Sequence, residues 1–218
     1  KPEFSCVLIS LDEDVMNFVT TDGFRLTEKN ISIDNINIDN IDNFRQILIT
    51  AKNINDLLKI IYSNISISIF VEKGLFYVKT SDSLLCVRTV SGSYPNYKNI
   101  IPKDFITEVE VETDDINNAL KASNIFSDDF NYVKLEIKDN EIDFYSKNNR
   151  IGESFSKKNI IKTGENITQN YNHRYLSDFL NKIKTDKVIL KISGKTTPTV
   201  IKSKGDNTYT YMVMPMNK

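Results

Sequence analysis

The sequence predicts an α+β fold made of a duplicated domain, in which two helices pack under antiparallel β-sheets. The first observation is an internal repeat, because FSCVLISLDEDVMNFVTTDGFR from Phe4 matches FNYVKLEIKDNEIDFYSKNNR from Phe130. The second is that the helix-like segment INDLLKII at 54–61 matches LSDFLNKI at 176–183. Solenoid repeats are only about 20–50 residues long, so a longer repeat such as this one indicates a duplicated domain.

The second copy gives the complete order of elements: strand, helix, three strands, helix and three strands. EVEVE at 108–112 alternates acidic and apolar residues, which predicts a half-buried strand. The next helix is predicted to have Thr113 as its N-cap and to face inward with Ile116, Ala119 and Leu120. The remaining predicted elements are strands at about 133–138, 141–147 and 150–156, a loop, a helix at about 173–184 with Leu176, Phe179, Leu180 and Ile183 facing inward, and strands at about 187–193, 198–204 and 208–214.

The first copy lacks its opening strand and helix and starts with the strand that follows them, at Lys1–Phe4. We therefore expect the chain to be truncated at its N-terminus. The predicted domains are residues 1–102, which include an interdomain linker at 91–102, and residues 103–218. An insertion of Ile, Asp and Asn at 31–43 has no counterpart in the second copy and predicts an extended loop or hairpin. It has neither the glycine turn nor the terminal glutamate of a calcium-binding loop.

The composition is that of a globular protein, with 40% hydrophobic residues, 26% charged residues and a net charge of −1. This net charge indicates no general preference for nucleic acid, although one face of the molecule can still be basic. The sequence has no leading apolar stretch of the signal-peptide type and no run long enough to cross a bilayer, which predicts a cytoplasmic location. Cys6 and Cys86 lie in apolar, strand-like segments and are predicted to be reduced, buried thiols.

No pattern of residues predicts catalysis. His173, the only histidine, is predicted to be a solvated residue in the first turn of a helix. The sequence has no HExxH or CxxC spacing for a zinc site and no glycine-rich phosphate-binding loop. The carboxylate pairs Asp114–Asp115 and Asp128–Asp129 fall at a helix start and in a turn, where acidic residues are favoured for structural reasons. We therefore predict a protein that is not an enzyme and that has no cofactor or metal. A hydrolase with scattered carboxylates is the enzyme alternative.

Three segments are candidates for function. VTTDGFRL at 19–26 has the Asp-Gly pair of a tight hairpin turn, with a positive φ expected at Gly23. SGSYPNYKNIIP at 91–102 is rich in aromatic residues and proline and has no helical period. YMVMPMNK at 211–218 contains three of the four methionines of the chain. Methionine is unbranched and polarizable, so this tail is suited to a surface that binds several partners.

In this order, the three segments resemble motifs of the bacterial sliding clamp family, the beta subunit of DNA polymerase III. TTDGFRL resembles the family's TDGHRL turn, SYPNYKNIIP its FPDYRRVIP linker and YMVMPMNK its closing VMPMRL. The resemblance covers essentially the whole chain. Because the family has three such domains in each subunit, it implies that this chain is most of the middle domain and all of the last one. It also implies a DNA-clamp fold, whose helices line a central hole around duplex DNA.

The resemblance implies that the chain is part of a processivity factor without enzymatic activity. In the family, the polymerase III alpha subunit, the clamp loader and repair proteins insert a short peptide with leucine and phenylalanine anchors into an apolar groove. By position, the groove residues are Phe4, Thr21, Gly23, Phe24, Arg25, Leu26, Pro95, Asn99, Ile100, Phe130, Asn172, Tyr175, Thr196, Pro198, Met212, Val213, Met214, Pro215 and Met216. Three residues depart from the family pattern and remove polar or positive groups from the rim of the groove, namely Phe24 for histidine, and Asn99 and Asn217 for arginine.

The implied partner of the helices is double-stranded DNA, bound without sequence specificity. The candidate DNA-facing residues are Lys52, Lys59, Lys121, Arg174 and Lys182, each of which has an ordinary solvated side chain as its alternative interpretation. The full-length family protein is a head-to-tail homodimeric ring. We expect this chain alone to be a monomer that binds a clamp-motif peptide but is not retained on circular DNA. A peptide-binding adaptor that does not encircle DNA is the alternative function.

Overall fold

The computed structural model describes residues 2–33, 44–61 and 66–217. The chain divides into two compact units, Lys1–Tyr97 and Lys98–Lys218, which are called unit 1 and unit 2 below. The domain boundary expected after residue 102 stays a prediction. Most of the insertion at 31–43 lies outside the described residues.

Unit 1 contains two antiparallel sheets and one α-helix within its described residues. It begins with a 3-10 helix at Pro2–Ser5, where the sequence predicted a strand. Strands β1 to β4 form a sheet in the order β3-β2-β1-β4, and strands β5 to β7 form a second sheet in the order β5-β6-β7. The elements are β1 (Cys6–Asp12), β2 (Val15–Thr21), β3 (Arg25–Ser32), β4 (Ile47–Thr50), α1 (Ala51–Ile60), β5 (Ser68–Glu72), β6 (Leu75–Lys79) and β7 (Leu84–Arg88).

Helix α1 packs on the apolar faces of these strands. The hydroxyl of Thr50 caps the helix by accepting a hydrogen bond from the backbone N–H of Asn53 at 3.3 Å. Leu57 is the buried residue of α1, and it joins a core that includes Ile9 and Ile49. Burial of side chains of this size stabilises the fold by about 1.5–3 kcal/mol each.

Unit 2 contains two helices packed together under two antiparallel sheets. The sheets have the strand orders β12-β8-β14-β15-β16 and β11-β10-β9-β13. The elements are β8 (Thr107–Glu112), α2 (Thr113–Ile125), β9 (Tyr132–Ile137), β10 (Glu141–Asn148), β11 (Gly152–Asn159), β12 (Ile161–Gly164), β13 (Ile167–Asn172), α3 (His173–Leu180), β14 (Lys187–Ile192), β15 (Thr199–Ser203) and β16 (Tyr209–Val213). The α+β class and the helices under antiparallel sheets are confirmed.

The apolar faces predicted for the helices of unit 2 are buried. The core contains Ile116, Ala119, Leu120, Leu176, Phe179 and Leu180, and Ile183 packs against it from a position beyond the end of α3. Two details of the helices differ from the prediction. Thr113 is the first residue of α2 rather than its N-cap, because its hydroxyl donates a hydrogen bond to the carbonyl oxygen of Thr185 at 2.7 Å. Helix α3 ends at Leu180 instead of reaching residue 184.

The loop predicted between residues 156 and 173 contains two strands, β12 and β13. Strand β12 pairs with β8 and strand β13 pairs with β9, so this segment passes from one sheet to the other. The turn between them needs Gly164, whose φ is +94°, because a Cβ there would lie 1.9 Å from the carbonyl oxygen of Ile106. Both pairings are with residues distant in sequence, which local periodicity does not predict.

Two single-residue predictions are wrong. Cys86 is exposed, because it lies on the face of β7 that points away from the core, whereas Cys6 is buried as predicted. His173 is only 2% exposed, and its Nε2 lies 3.2 Å from the hydroxyl oxygen of Ser127. Burial lowers the pKa of His173, and the positive charge of Arg174 lowers it further.

We predict that protonation of His173 destabilises the fold. Because the pKa of His173 is lowered in the folded state, the unfolded chain binds the proton more tightly. The free energy of unfolding should therefore fall as the pH decreases below the ordinary histidine pKa of about 6.5, and above that pH this group should have no effect. Urea unfolding of the wild type and of His173→Gln between about pH 7.5 and about pH 5.5 measures the difference. An equally large decrease in both proteins would contradict the prediction.

Candidate functional site

The Asp22–Gly23 turn between β2 and β3 is fixed by hydrogen bonds from both ends. Oδ1 of Asp22 accepts hydrogen bonds from the backbone N–H groups of Phe24 and Arg25, at 2.9 and 3.0 Å. The hydroxyl of Thr21 donates to the carbonyl oxygen of Arg25 at 2.7 Å and accepts the N–H of Gly23 at 3.1 Å. Gly23 has a φ of +90°, so the positive φ expected there is confirmed. The turn is therefore a rigid element of the unit 1 surface.

Two aromatic side chains accompany this turn. A Cβ built on Gly23 would lie 3.9 Å from Cε2 of Phe4, so the Phe4 ring packs against the turn. Phe24 is 61% exposed at the tip of the turn, whereas Leu26 is 1% exposed under it. Phe4 and the turn are thus brought together, whereas Leu26 is buried and adds nothing to the accessible surface.

Two tyrosines anchor the linker segment of unit 1. Tyr97 donates a hydrogen bond from its hydroxyl to Oε1 of Glu28 at 2.7 Å, and Tyr94 contacts Tyr97 edge to face with 6.5 Å between ring centroids. Both tyrosines are buried, and Pro95 between them is exposed. Burial raises the pKa of the Tyr94 hydroxyl to about 12.

The methionine-rich tail of unit 2 divides into a buried part and an accessible part. Met212 and Val213 belong to β16 and are 3% and 0% exposed. Met214, Pro215 and Met216 follow the strand and are half-buried. The backbone N–H of Met216 donates to the carbonyl oxygen of Asn170 at 2.7 Å. This hydrogen bond holds the last residues beside β13. No pattern in the sequence indicates that Asn170 is its acceptor.

The other candidate residues of unit 2 lie at helix and loop ends. The side-chain oxygen of Asn172 caps α3 by accepting a hydrogen bond from the backbone N–H of Arg174 at 3.0 Å. The carbonyl oxygen of Tyr175 accepts a hydrogen bond from the hydroxyl of Tyr211 at 2.8 Å. Phe130 is 71% exposed on the turn before β9. The remaining candidates are exposed or half-buried, namely Asn99, Ile100, Thr196 and Pro198.

A buried polar network supports the loop that carries Thr196. The amide nitrogen of Gln169 donates to the carbonyl oxygen of Gly194 at 2.7 Å. The hydroxyl of Tyr171 bonds to the side-chain oxygens of Gln169 and Thr199. Burial raises the pKa of the Tyr171 hydroxyl. The network holds the loop in place, and nothing in the local sequence pattern indicates it.

All five candidate DNA-facing residues are exposed. Lys52 and Lys59 lie on α1, Lys121 lies on α2, and Arg174 lies on α3. Lys182 follows α3 instead of belonging to it, since the helix ends two residues earlier. Lys59 forms an ion pair with Asp56 at 2.8 Å, and this neighbour reduces the positive charge that Lys59 presents.

Within residues 2–33, 44–61 and 66–217, no group of three or more His, Cys, Asp or Glu side chains could hold a metal ion. Among these residues, no helix has the length and apolar character needed to cross a membrane.

The chain is similar in sequence to curated proteins named beta sliding clamp. It is 25% identical over 216 residues to the protein of Synechococcus elongatus, and the match covers 96% of this chain and 57% of that protein. It is 24% identical over 212 residues to the protein of Mycoplasma capricolum, with 95% of this chain and 55% of that protein covered. The chain thus spans little more than half the length of these relatives.

Solved structures share its fold. A DNA polymerase sliding clamp from Pseudomonas aeruginosa matches with a TM-score of 0.92 and 19% identity, over 98% of this chain and 58% of that one. A DNA polymerase III beta subunit from Thermotoga maritima matches with a TM-score of 0.90 and 24% identity, over 100% of this chain and 58% of that one. A sliding clamp from Pseudomonas aeruginosa bound to griselimycin matches with a TM-score of 0.91 and 19% identity, over 98% of this chain and 57% of that one.

Two family models match consecutive parts of the chain. The model of the central domain of the DNA polymerase III beta subunit matches residues 1–96, and the model of its C-terminal domain matches residues 98–217. Together they account for nearly every residue of the sequence. The chain therefore belongs to the DNA polymerase III beta subunit family.

Proposed function

We propose that the chain is part of a DNA sliding clamp, a processivity factor that encircles duplex DNA and tethers other replication proteins to it. The observation that carries this proposal is the consecutive match of two domain models of one family along the chain. The full-length protein would form a head-to-tail homodimeric ring in the cytoplasm and would need no catalytic group, because tethering requires binding alone. The two domains would be residues 1–102 and 103–218.

We further propose that partner peptides with leucine and phenylalanine anchors bind the candidate residues of both units. On unit 1, the rigid turn at Gly23 supports the ring of Phe4 and presents Phe24. On unit 2, the half-buried Met214 and Met216 and the exposed Phe130 present apolar surface. Rigid turns fix the position of this surface, and flexible methionine side chains allow it to adapt to different partners.

The proposed DNA contacts are the exposed basic residues of the helices. Lys121 lies on the side of α2 opposite Ile116, Ala119 and Leu120, which are all buried. A lysine on such a face can approach phosphates as a mobile point charge, and phosphate contacts carry no sequence information. This arrangement is what a clamp that slides along DNA requires.

Replacement of Gly23 by valine should destabilise the turn and weaken peptide binding. A residue with a Cβ at a φ of +90° is strained, and the cost is on the order of 1–2 kcal/mol. Urea unfolding and a titration with an anchor-containing peptide measure both effects. Gly23→Asn is the matched variant, because asparagine tolerates positive φ better than valine, and it should lose less of both. Equal stability and affinity in Gly23→Val and the wild type would refute this role of the turn.

Truncation of Met214 and Met216 to alanine should weaken peptide binding and leave the fold intact. Each side chain that packs on the peptide should contribute on the order of 1–3 kcal/mol to binding. The control is Ile161→Ala, which also shortens an apolar side chain of unit 2. Ile161 is 63% exposed and lies on β12, which is separated from β16 by strands β8, β14 and β15. Unfolding curves should match in all three proteins. Unchanged affinity in the double variant would exclude the tail from the groove.

Neutralisation of Lys121 should weaken the binding of duplex DNA at low salt. For Lys121→Gln, the slope of log affinity against log salt should become shallower by about one unit, because one phosphate contact is lost. Lys73→Gln is the control, since Lys73 lies in the turn between β5 and β6 and its side chain is 87% exposed. Equal slopes in the two variants would support the adaptor alternative, in which the protein binds peptides but not DNA.

A further inference from the structure

The turn that carries Phe130 lies between α2 and β9 and is shaped by its own hydrogen bonds. Oδ1 of Asp128 accepts hydrogen bonds from the backbone N–H groups of Phe130 and Tyr132, at 3.1 and 3.2 Å. The backbone N–H of Asn131 donates to the carbonyl oxygen of Asp128 at 2.9 Å. Asn131 has a φ of +58°, a left-handed conformation that asparagine adopts more readily than most residues. Phe130 is 71% exposed on this turn.

One buried residue outside the turn, His173, is hydrogen-bonded to both of its ends. The backbone N–H of His173 donates to the carbonyl oxygen of Asn131 at 2.8 Å, at the end of the turn. Nε2 of the His173 imidazole lies 3.2 Å from the hydroxyl oxygen of Ser127, at the start of the turn. Because His173 is only 2% exposed, it supports the turn from inside the fold and adds nothing to the accessible surface.

The direction of the side-chain hydrogen bond follows from the other contacts of Ser127. The hydroxyl of Ser127 donates to the carbonyl oxygen of Asn124 at 3.2 Å, and a hydroxyl has only one proton to donate. The proton between Ser127 and His173 is therefore on Nε2, and the imidazole is the donor. The side-chain amide of Asn148 donates to the carbonyl oxygen of Ser127 at 2.9 Å. Hydrogen bonds from α2, α3 and β10 thus meet at Ser127.

We propose that His173 is a positioning residue for peptide binding, whose two hydrogen bonds hold the turn at 127–131 so that the Phe130 ring is preorganised to contact an apolar anchor of the partner peptide. This inference rests on the proposed function, since it concerns the surface that binds the peptide. Preorganisation increases affinity because less conformational freedom is lost on binding. The hydrogen bonds to Asp128 shape the turn locally, whereas His173 joins the turn to α3.

A double-mutant cycle tests the inference, with affinity measured for a fluorescent peptide that carries leucine and phenylalanine anchors. His173→Leu removes the imidazole donor and should weaken binding about threefold to tenfold. In a Phe130→Ala background it should have no further effect, because the side chain that it positions is absent. Phe24→Ala is the matched control background, since it removes an exposed aromatic ring of unit 1 instead. In that background His173→Leu should keep its full effect.

Two further variants separate positioning from a loss of stability. His173→Gln is the conservative variant, because an amide N–H of glutamine can replace Nε2–H as the donor to Ser127. It should bind the peptide within about twofold of the wild type. Ser127→Ala removes the acceptor without changing the buried histidine, and it should weaken binding by the same factor as His173→Leu. Urea unfolding establishes that each variant is folded at the temperature of the titration.

Unchanged affinity in folded His173→Leu and Ser127→Ala would overturn the inference. An equal loss from His173→Leu with and without the Phe130 ring would also overturn it, because His173 would then act on binding by another route. If His173→Leu does not fold, Ser127→Ala in the same two backgrounds decides the question. Failure of folded wild-type protein to bind any anchor-containing peptide would refute the proposed function itself, and this outcome is distinct because binding is then absent from every variant.

Discussion

Burial of the apolar sides of α2 and α3 against two sheets is the interaction on which the architecture of unit 2 depends. Leu120 and Phe179 are almost completely buried, and each such side chain contributes about 1.5–3 kcal/mol of stabilisation. Because one side of each helix is buried in the core, the opposite side of that helix faces solvent. The exposed positions of Lys121 and Arg174 are a direct consequence of this packing.

The candidate peptide-contacting residues of each unit can be described separately, and they differ in how firmly they are held. Hydrogen bonds to Asp22 and Thr21 hold the turn of unit 1, and the Asn172 cap fixes the start of α3 in unit 2. The side chains of Met214 and Met216 are adaptable instead, since methionine has several rotatable bonds and no fixed shape. Their backbone is nevertheless anchored at the carbonyl oxygen of Asn170. Anchored backbone with flexible side chains suits a surface that must bind several related peptides.

Acidic and basic side chains of unit 2 pair with each other around strand β8. Acidic residues of β8 form ion pairs with two lysines of the neighbouring strand β14, at 2.9 Å for Glu108–Lys191 and 3.1 Å for Glu110–Lys187. Glu110 also pairs with Lys204, which follows β15, at 2.7 Å. These solvent-exposed pairs contribute little to stability, because water and salt screen the attraction between the charges. They do neutralise positive charge locally on the sheet, whereas the lysines of the helices lie on other elements. The net charge of the whole chain is therefore a poor guide to the charge of any one face.

The sequence by itself determined the features that depend on local order. The apolar positions of α2 and α3 and the positive φ of Gly23 follow from periodicity and turn chemistry, which involve neighbouring residues only. The repeat is visible in the sequence because it is a comparison of two segments of the same chain. Tertiary structure decided the features that depend on contacts between distant residues. Burial of His173 requires Ser127, the start of α2 requires Thr185, and β12 and β13 exist because separate strands pair with them. The same holds for Leu26 and Met212, whose burial no local pattern reveals, because the atoms that cover a side chain come from elsewhere in the fold.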